Sequence, residues 1–442
     1  MSRRESPGAV AEGALPPNGL ARLTRAWGAF RELFPYLGPA FLVSVGYMDP
    51  GNWGTDIDGG TRFGYSLIWV LLMSNLMAIL LQTISAKLGL VTGKDLAENC
   101  RDHLPRPVAM FLWISQEIAV MATDLAEFLG SALGIHLLFH IPLVYAVFIT
   151  GFDVLLILGM QKWGYRVVEY VIIGFVATIG WCYVIEVFLA RPQWGSVVYH
   201  TLVPNLNEAS LFVAIGMLGA TVMPHNLFLH SSLIKTRIPL HPKEHVPGQP
   251  DPETRKIYRF AVIDSLLALN GAFLVNAAIL IMSAAVFGAR HLAVASIEDA
   301  HQTLGLLLKG VAPLVFAIAL LCSGLSSSTT ATMAGQIVME GFLHIRWPMW
   351  VRRLVTRLLT MIPAIIAIVH GMNPLSILVW SQVALSFLLP FGILPLIYFT
   401  NRRDLMREHT NTRVTNALLW ATTIIIVALN VILIYWTFRP PT

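Results

Sequence analysis

The chain has 442 residues, of which 56% are hydrophobic and only 12% charged, with a mean hydropathy of +0.67 and a formal net charge of +5. These values exclude an ordinary soluble domain and describe a polypeptide that lives mostly in a bilayer. The basic excess belongs to membrane topology and gives no reason to invoke nucleic acid as a partner.

Residues 1–33 hold arginines, glycines and prolines but no apolar core followed by a small-residue cleavage site. A cytoplasmic tail is therefore expected, and a removable signal peptide is not. From Phe34 to Trp436 apolar segments recur, each of about 20 residues and so long enough to cross the hydrocarbon core. Eleven are expected, centred near Gly46, Leu76, Val120, Leu155, Thr178, Met223, Asn276, Leu320, Ile362, Ser386 and Ile425. The expected class is an all-α integral membrane protein.

The first and sixth segments are interrupted, by Asp49-Pro50-Gly51-Asn52 and by Met223-Pro224-His225-Asn226. Proline breaks the helical hydrogen-bond ladder and the glycine or asparagine beside it relaxes the backbone, so each segment should be unwound at membrane depth. Asp49 and Asn52 offer hard oxygen, Met223 offers soft sulfur, and carbonyls freed by the unwinding offer more oxygen. The two breaks read as halves of one ion site.

The third segment carries acids where an isolated charge costs at least about 2.5–3.5 kcal/mol at a helix centre. Asp124 and Glu127 lie three apart on one helical face, and Glu117 lies seven before Asp124, nearly in line with it. In the sixth segment His225 follows Met223 by two residues and titrates near neutral pH, which suits a proton relay beside the ion site. The connector around His241 and His245 is rich in proline and reads as an extended cytoplasmic link, not as a metal site. Cys100, Cys182 and Cys322 are scattered and odd in number, so neither a disulfide framework nor a zinc site is expected.

With the amino terminus inside, the tail and the even-numbered connections hold 25 of the 30 basic residues, leaving Arg62, Arg191, Arg290, Lys309 and Arg439. That asymmetry fits eleven spans with the carboxyl terminus outside. Pro50 and Asn52 recur as Pro224 and Asn226 at an offset of 174 residues, which is five spans. An odd number of spans inverts the second copy, as in many secondary transporters. The first repeat would occupy 34–190. The second would open with an outer loop and broken helix at 191–237, pass through a cytoplasmic connector at 238–256, and continue over 257–400. Residues 401–442 would hold a loop and an accessory eleventh helix.

Gly46-Tyr47-Met48-Asp49-Pro50-Gly51-Asn52, Thr123-Asp124-Leu125-Ala126-Glu127-Phe128 and Gly219-Ala220-Thr221-Val222-Met223-Pro224-His225-Asn226 together resemble the Nramp family of proton-coupled divalent metal transporters. Ser85-Ala86-Lys87-Leu88-Gly89, Asn270, Asn276 and Ser381-Gln382 extend the likeness over nearly the whole chain. The resemblance implies a LeuT-like inverted repeat of five plus five helices with the first and sixth broken. It implies a metal held by the Asp49 carboxylate, the Asn52 amide oxygen, the Met223 thioether and the carbonyls of Gly46 and Ala220, with Gln382 added in some conformations. It assigns Asp49, His225, Glu127 and Asp124 to the proton route, with Arg353 and Arg352 as counter-charges near its inner end. No cofactor is implied, because the metal is cargo and the proton is the coupling ion. A monomer in a bacterial inner membrane is expected.

The donor set carries its own selectivity argument. Mn²⁺ and Fe²⁺ accept oxygen and tolerate sulfur, whereas Mg²⁺ and Ca²⁺ gain little from a thioether. Manganese is expected first and iron second. The alternatives are an Nramp-related magnesium transporter, which should lack the thioether, a LeuT-fold sodium-coupled symporter, and an intramembrane metalloenzyme, for which no H-E-x-x-H is present. Two positions depart from the family pattern: Gly46, where alanine is common, and Asp58, which is expected to pair with Arg62 four residues on.

Overall fold

The computed structural model describes residues 38–152, 165–238, 252–290, 294, 296–308 and 310–438. Among them there are helices and turns but no strand. The helices are α1 (Pro39–Gly46), α2 (Pro50–Phe63), α3 (Ile68–Thr92), α4 (Leu96–His103), α5 (Arg106–Phe139), α6 (Leu143–Gly151), α7 (Tyr165–Ala190) and α8 (Trp194–Leu202), then α9 (Glu208–Val222) and α10 (Pro224–Leu233). They continue as α11 (Pro252–Val286), α12 (Ile297–Leu307), α13 (Ala312–Leu343), α14 (Met349–Val369), α15 (Pro374–Asn401), a turn at Arg403–Met406, and α16 (Arg413–Phe438).

Eight helical stretches among the described residues are long and apolar enough to cross a membrane. Where the first, fourth and ninth crossings are expected, the described residues hold α1 with α2, α6, and α14, whose first turns carry Arg352 and Arg357. Large apolar side chains such as Trp181, Phe188, Ile362 and Ile424 stay exposed on α7, α14 and α16, as lipid-facing surface should.

The two broken helices lie inside the bundle. α2 packs on α11, α9 and α15, while α5 and α13 form the most extensive helix pair of the molecule. Trp53 stacks edge-on against Tyr183 and Phe316, with ring centroids 5.0 and 5.5 Å away, and anchors α2 in the largest apolar cluster. Close approach is bought with glycine: a Cβ on Gly130 of α5 would come within 2.1 Å of the Pro50 ring that opens α2.

The free amides at the start of α1 are met from another helix. Asp264 of α11 accepts from Gly38 N at 3.2 Å and from Ala40 N at 2.9 Å, supplying the cap that no nearby side chain provides. At the end of α10, Lys235 reaches both Asp95 and Glu98, each at 2.7 Å, and those two acids also form the capping box that starts α4. Asp264→Ala should therefore lower stability by about 1 kcal/mol, the usual cost of a lost cap, whereas Asp264→Asn should keep most of it. Thermal unfolding in detergent reads the difference, and equal midpoints for Asp264→Ala and the parent would show that the cap contributes nothing.

Candidate functional site

The first break unwinds Tyr47 to Asp49, and the second is confined to Met223, whose φ of +42° lies where L-residues seldom sit. In hydrocarbon the carbonyls so released need partners, and side chains from neighbouring helices supply them. Asn276 of α11 donates to Tyr47 O at 2.8 Å, and Ser323 of α13 donates to Met48 O at 2.5 Å. The Tyr47 hydroxyl donates to Val222 O at 3.4 Å and accepts from Gln82 Nε2 at 2.9 Å, and Gln82 in turn meets His230 Nδ1 at 3.1 Å. One polar chain thus ties the first break to the second.

Asp49 is the N-cap of α2. Its Oδ1 accepts from Asn52 N at 2.8 Å and from Asn52 Nδ2 at 2.7 Å, while its buried Oδ2 has no hydrogen-bond partner among the described residues. Asn52 Nδ2 also donates to Ala220 O, across the break, at 3.1 Å. Its Oδ1 accepts from Asn276 Nδ2 at 3.2 Å. Met223 follows Ala220 by three residues, and a Cβ built on Gly46 would lie 3.6 Å from the Met223 sulfur and 2.8 Å from Asn226 Nδ2. Asn226 Nδ2 donates to that sulfur at 3.3 Å. Asp49, Asn52, Gly46, Ala220 and Met223 therefore meet at the facing breaks, and all five are buried. At Gly46 the missing methyl leaves room that Asn226 occupies.

Gln382 of α15 lies over the first turn of α2, within 1.8 Å of where a Cβ on Gly51 would be, and its Oε1 is buried with no hydrogen-bond partner among the described residues. His225 is buried beside the second break, and its Nδ1 has no hydrogen-bond partner among the described residues. Glu127 is fully buried on α5.

The acidic stripe of α5 meets α14. Asp124 accepts from Thr360 Oγ1 at 2.6 Å and pairs with Arg357 at 3.3 Å; Arg357 also donates to Ser328 Oγ at 2.8 Å, and its guanidinium lies 5.0 Å from the centre of the Phe128 ring. Glu117 pairs with Arg352 and accepts from Trp113 Nε1 at 3.1 Å. The side chain of Arg353 lies outside those described. Sequence reasoning counted Arg357 only as a topological charge. Its signal was depth, because it sits a full turn further into an apolar helix than inside anchoring requires. Asp58 pairs with Arg62 at 3.2 Å, as expected from their spacing, and stays apart from this centre. The loop histidines, His241 and His245, fall outside the described residues.

Two interrupted helices facing each other within an all-helical membrane bundle define a LeuT-like carrier fold. Mhp1 in its inward-facing conformation superposes with a TM-score of 0.59 at 11% identity, a likeness of fold alone. The family described as natural resistance-associated macrophage protein-like matches residues 40–436, and the chain belongs to that family, Nramp. A divalent metal cation transporter MntH from Nostoc is 50% identical over 409 residues, covering 91% of this chain and 90% of its own. The Eremococcus coleocola manganese transporter superposes with a TM-score of 0.82 at 36% identity, covering 93% of this chain and 90% of its own. Nramp proteins are transporters, not enzymes.

Removing one partner of a buried pair strands the other charge, at about 3–5 kcal/mol. Arg357→Met should therefore destabilise the protein by that order, and adding Asp124→Asn should recover most of the loss. A double variant as unstable as Arg357→Met alone would mean that the guanidinium matters through Ser328 or Phe128 instead.

Proposed function

We propose that this chain is a secondary transporter that imports divalent transition-metal ions, manganese first and iron second, together with protons. The observation that carries the reading is the convergence of Asp49 Oδ1 and Ala220 O on a single amide, Asn52 Nδ2, at 2.7 and 3.1 Å, with the Met223 sulfur lodged beside Gly46. An NH₂ group that donates to two oxygens stands where a cation would stand. With the amide turned over, Oδ1 would face the Asp49 and Ala220 side, so that an ion between them would meet one carboxylate, one amide oxygen, one carbonyl and one thioether. The Gly46 carbonyl and the Gln382 amide oxygen complete the set.

One carboxylate among neutral ligands binds weakly enough to release its cargo, which a closed structural site would not do. The thioether favours Mn²⁺ and Fe²⁺ over Mg²⁺ and Ca²⁺. The names of the Nostoc and Eremococcus relatives, a divalent metal cation transporter and a manganese transporter, agree with this reading. Protons travel by Asp49, His225, Glu127 and Asp124, with Arg352, Arg353 and Arg357 balancing the acids of α5. The broken first and sixth spans rock against the remaining helices and expose the centre to each side in turn. The protein works as a monomer of eleven spans in a bacterial inner membrane, amino terminus inside and carboxyl terminus outside, with residues 34–190 and 191–400 as the inverted repeats.

Proteoliposome uptake tests the site. Asp49→Ala should abolish Mn²⁺ entry, and Met223→Ala should keep much of it while losing discrimination against Ca²⁺ and Mg²⁺. Unchanged selectivity in Met223→Ala would make the sulfur a packing group. With a pH dye enclosed, Mn²⁺ entry should acidify the lumen, and uptake at constant internal pH would leave a uniporter.

A further inference from the structure

A groove of about 900 Å³ runs along the membrane-facing side of the bundle between α7 and α11. Gly180, Trp181 and Val184 of α7 and Gly271 and Leu274 of α11 line it, and Arg191 stands at its end. It contains neither the metal centre nor the acidic stripe.

The two glycines are the informative residues. At some glycines of the bundle an added Cβ would strike a neighbour, as at Gly130 against Pro50 or Gly134 against Leu321, whereas Gly174 of α7 and Gly195 of α8 face open space. At Gly180 and Gly271 it would meet no atom within 4 Å. Gly180 and Gly271 differ from Gly174 and Gly195 in lining the groove, where the absence of a side chain on both walls widens the trough to the width of an acyl chain. The surface between them is almost wholly apolar, with Trp181 and Leu274 exposed beside it.

Charge specifies the occupant's other end. Arg191 directly follows the last residue of α7, is exposed, and has a φ of +48° ahead of Pro192. Its side chain makes no ion pair or hydrogen bond among the described residues. Trp194, at the same rim, is an interfacial residue type. An unpaired guanidinium at the water boundary above an apolar trough matches a phosphate above an acyl chain.

We propose that the groove between α7 and α11 holds one anionic phospholipid, its acyl chain over Gly180 and Gly271 and its headgroup phosphate on Arg191. The proposal needs only that the chain spans a bilayer, so it stands or falls independently of which ion is carried. Gly271 is five residues before Asn276, which holds the first break, so the lipid packs against the helix that supports the ion site.

Native mass spectrometry of the full chain, incubated in mild detergent with phosphatidylglycerol or phosphatidylcholine, tests it. The parent should retain one lipid and prefer phosphatidylglycerol by at least about fivefold, the worth of one surface charge contact. Arg191→Gln should keep a bound lipid but lose the preference. Gly271→Leu should lose the lipid of either kind, and Gly180→Leu, from the opposite wall, should do the same if the first variant folds poorly. Lipid retained by well-folded leucine variants as in the parent, or a preference indifferent to Arg191→Gln, would overturn the proposal. So would a dimer that separates on Gly271→Leu, since the occupant would then be a second copy of the chain.

Discussion

The structure depends on one constraint: a helix opened inside hydrocarbon releases backbone groups that water cannot reach. The chain opens two helices and pairs what it releases with side chains from intact ones. Asn276 and Ser323 hold Tyr47 O and Met48 O, and Tyr47 itself reaches Val222 O from one break to the other. Asp49, Asn52, Ala220 and Met223 stand where the two breaks face each other, and Asn226 packs against Gly46 there.

A second use of the same economy appears on α5. Its acids are placed to meet α14, Glu117 with Arg352 and Asp124 with Arg357, seven and five residues apart on helices that pack together. The Asp124 and Glu117 carboxylates each face an arginine and also accept from a hydroxyl or an indole donor. Buried pairs of this kind add little net stability over apolar residues, yet are costly to half-remove.

Much of this was legible in the sequence because its chemistry is local. Proline beside glycine or asparagine announces a break, and an Asp, Asn and Met at two such breaks announce donors. The acid stripe follows from helical spacing. What stayed hidden depends on which helix lies opposite. Nothing in the spacing says that Arg357 reaches Asp124, that Ser323 covers Met48 O, or that Asp264 caps a helix that begins 225 residues earlier. Those are facts of tertiary neighbourhood, and several basic or polar residues competed equally for each role. The confinement of the second break to one residue was hidden for a similar reason, since Pro224 starts a new helix as readily as it ends an old one.

Met223 carries a further consequence. Its backbone sits at φ +42°, a conformation that costs ordinary residues of order 1–3 kcal/mol and β-branched ones more. The replacements that would relax it most are glycine, which has no donor, and asparagine, whose donor is oxygen. Conformational relief and sulfur chemistry pull in opposite directions at this position. On the proposed site, mutational drift that eased the chain here would replace sulfur by oxygen or by nothing, and so would carry descendants toward the lighter, oxygen-seeking cations unless selection for the heavier ones kept the strain in place.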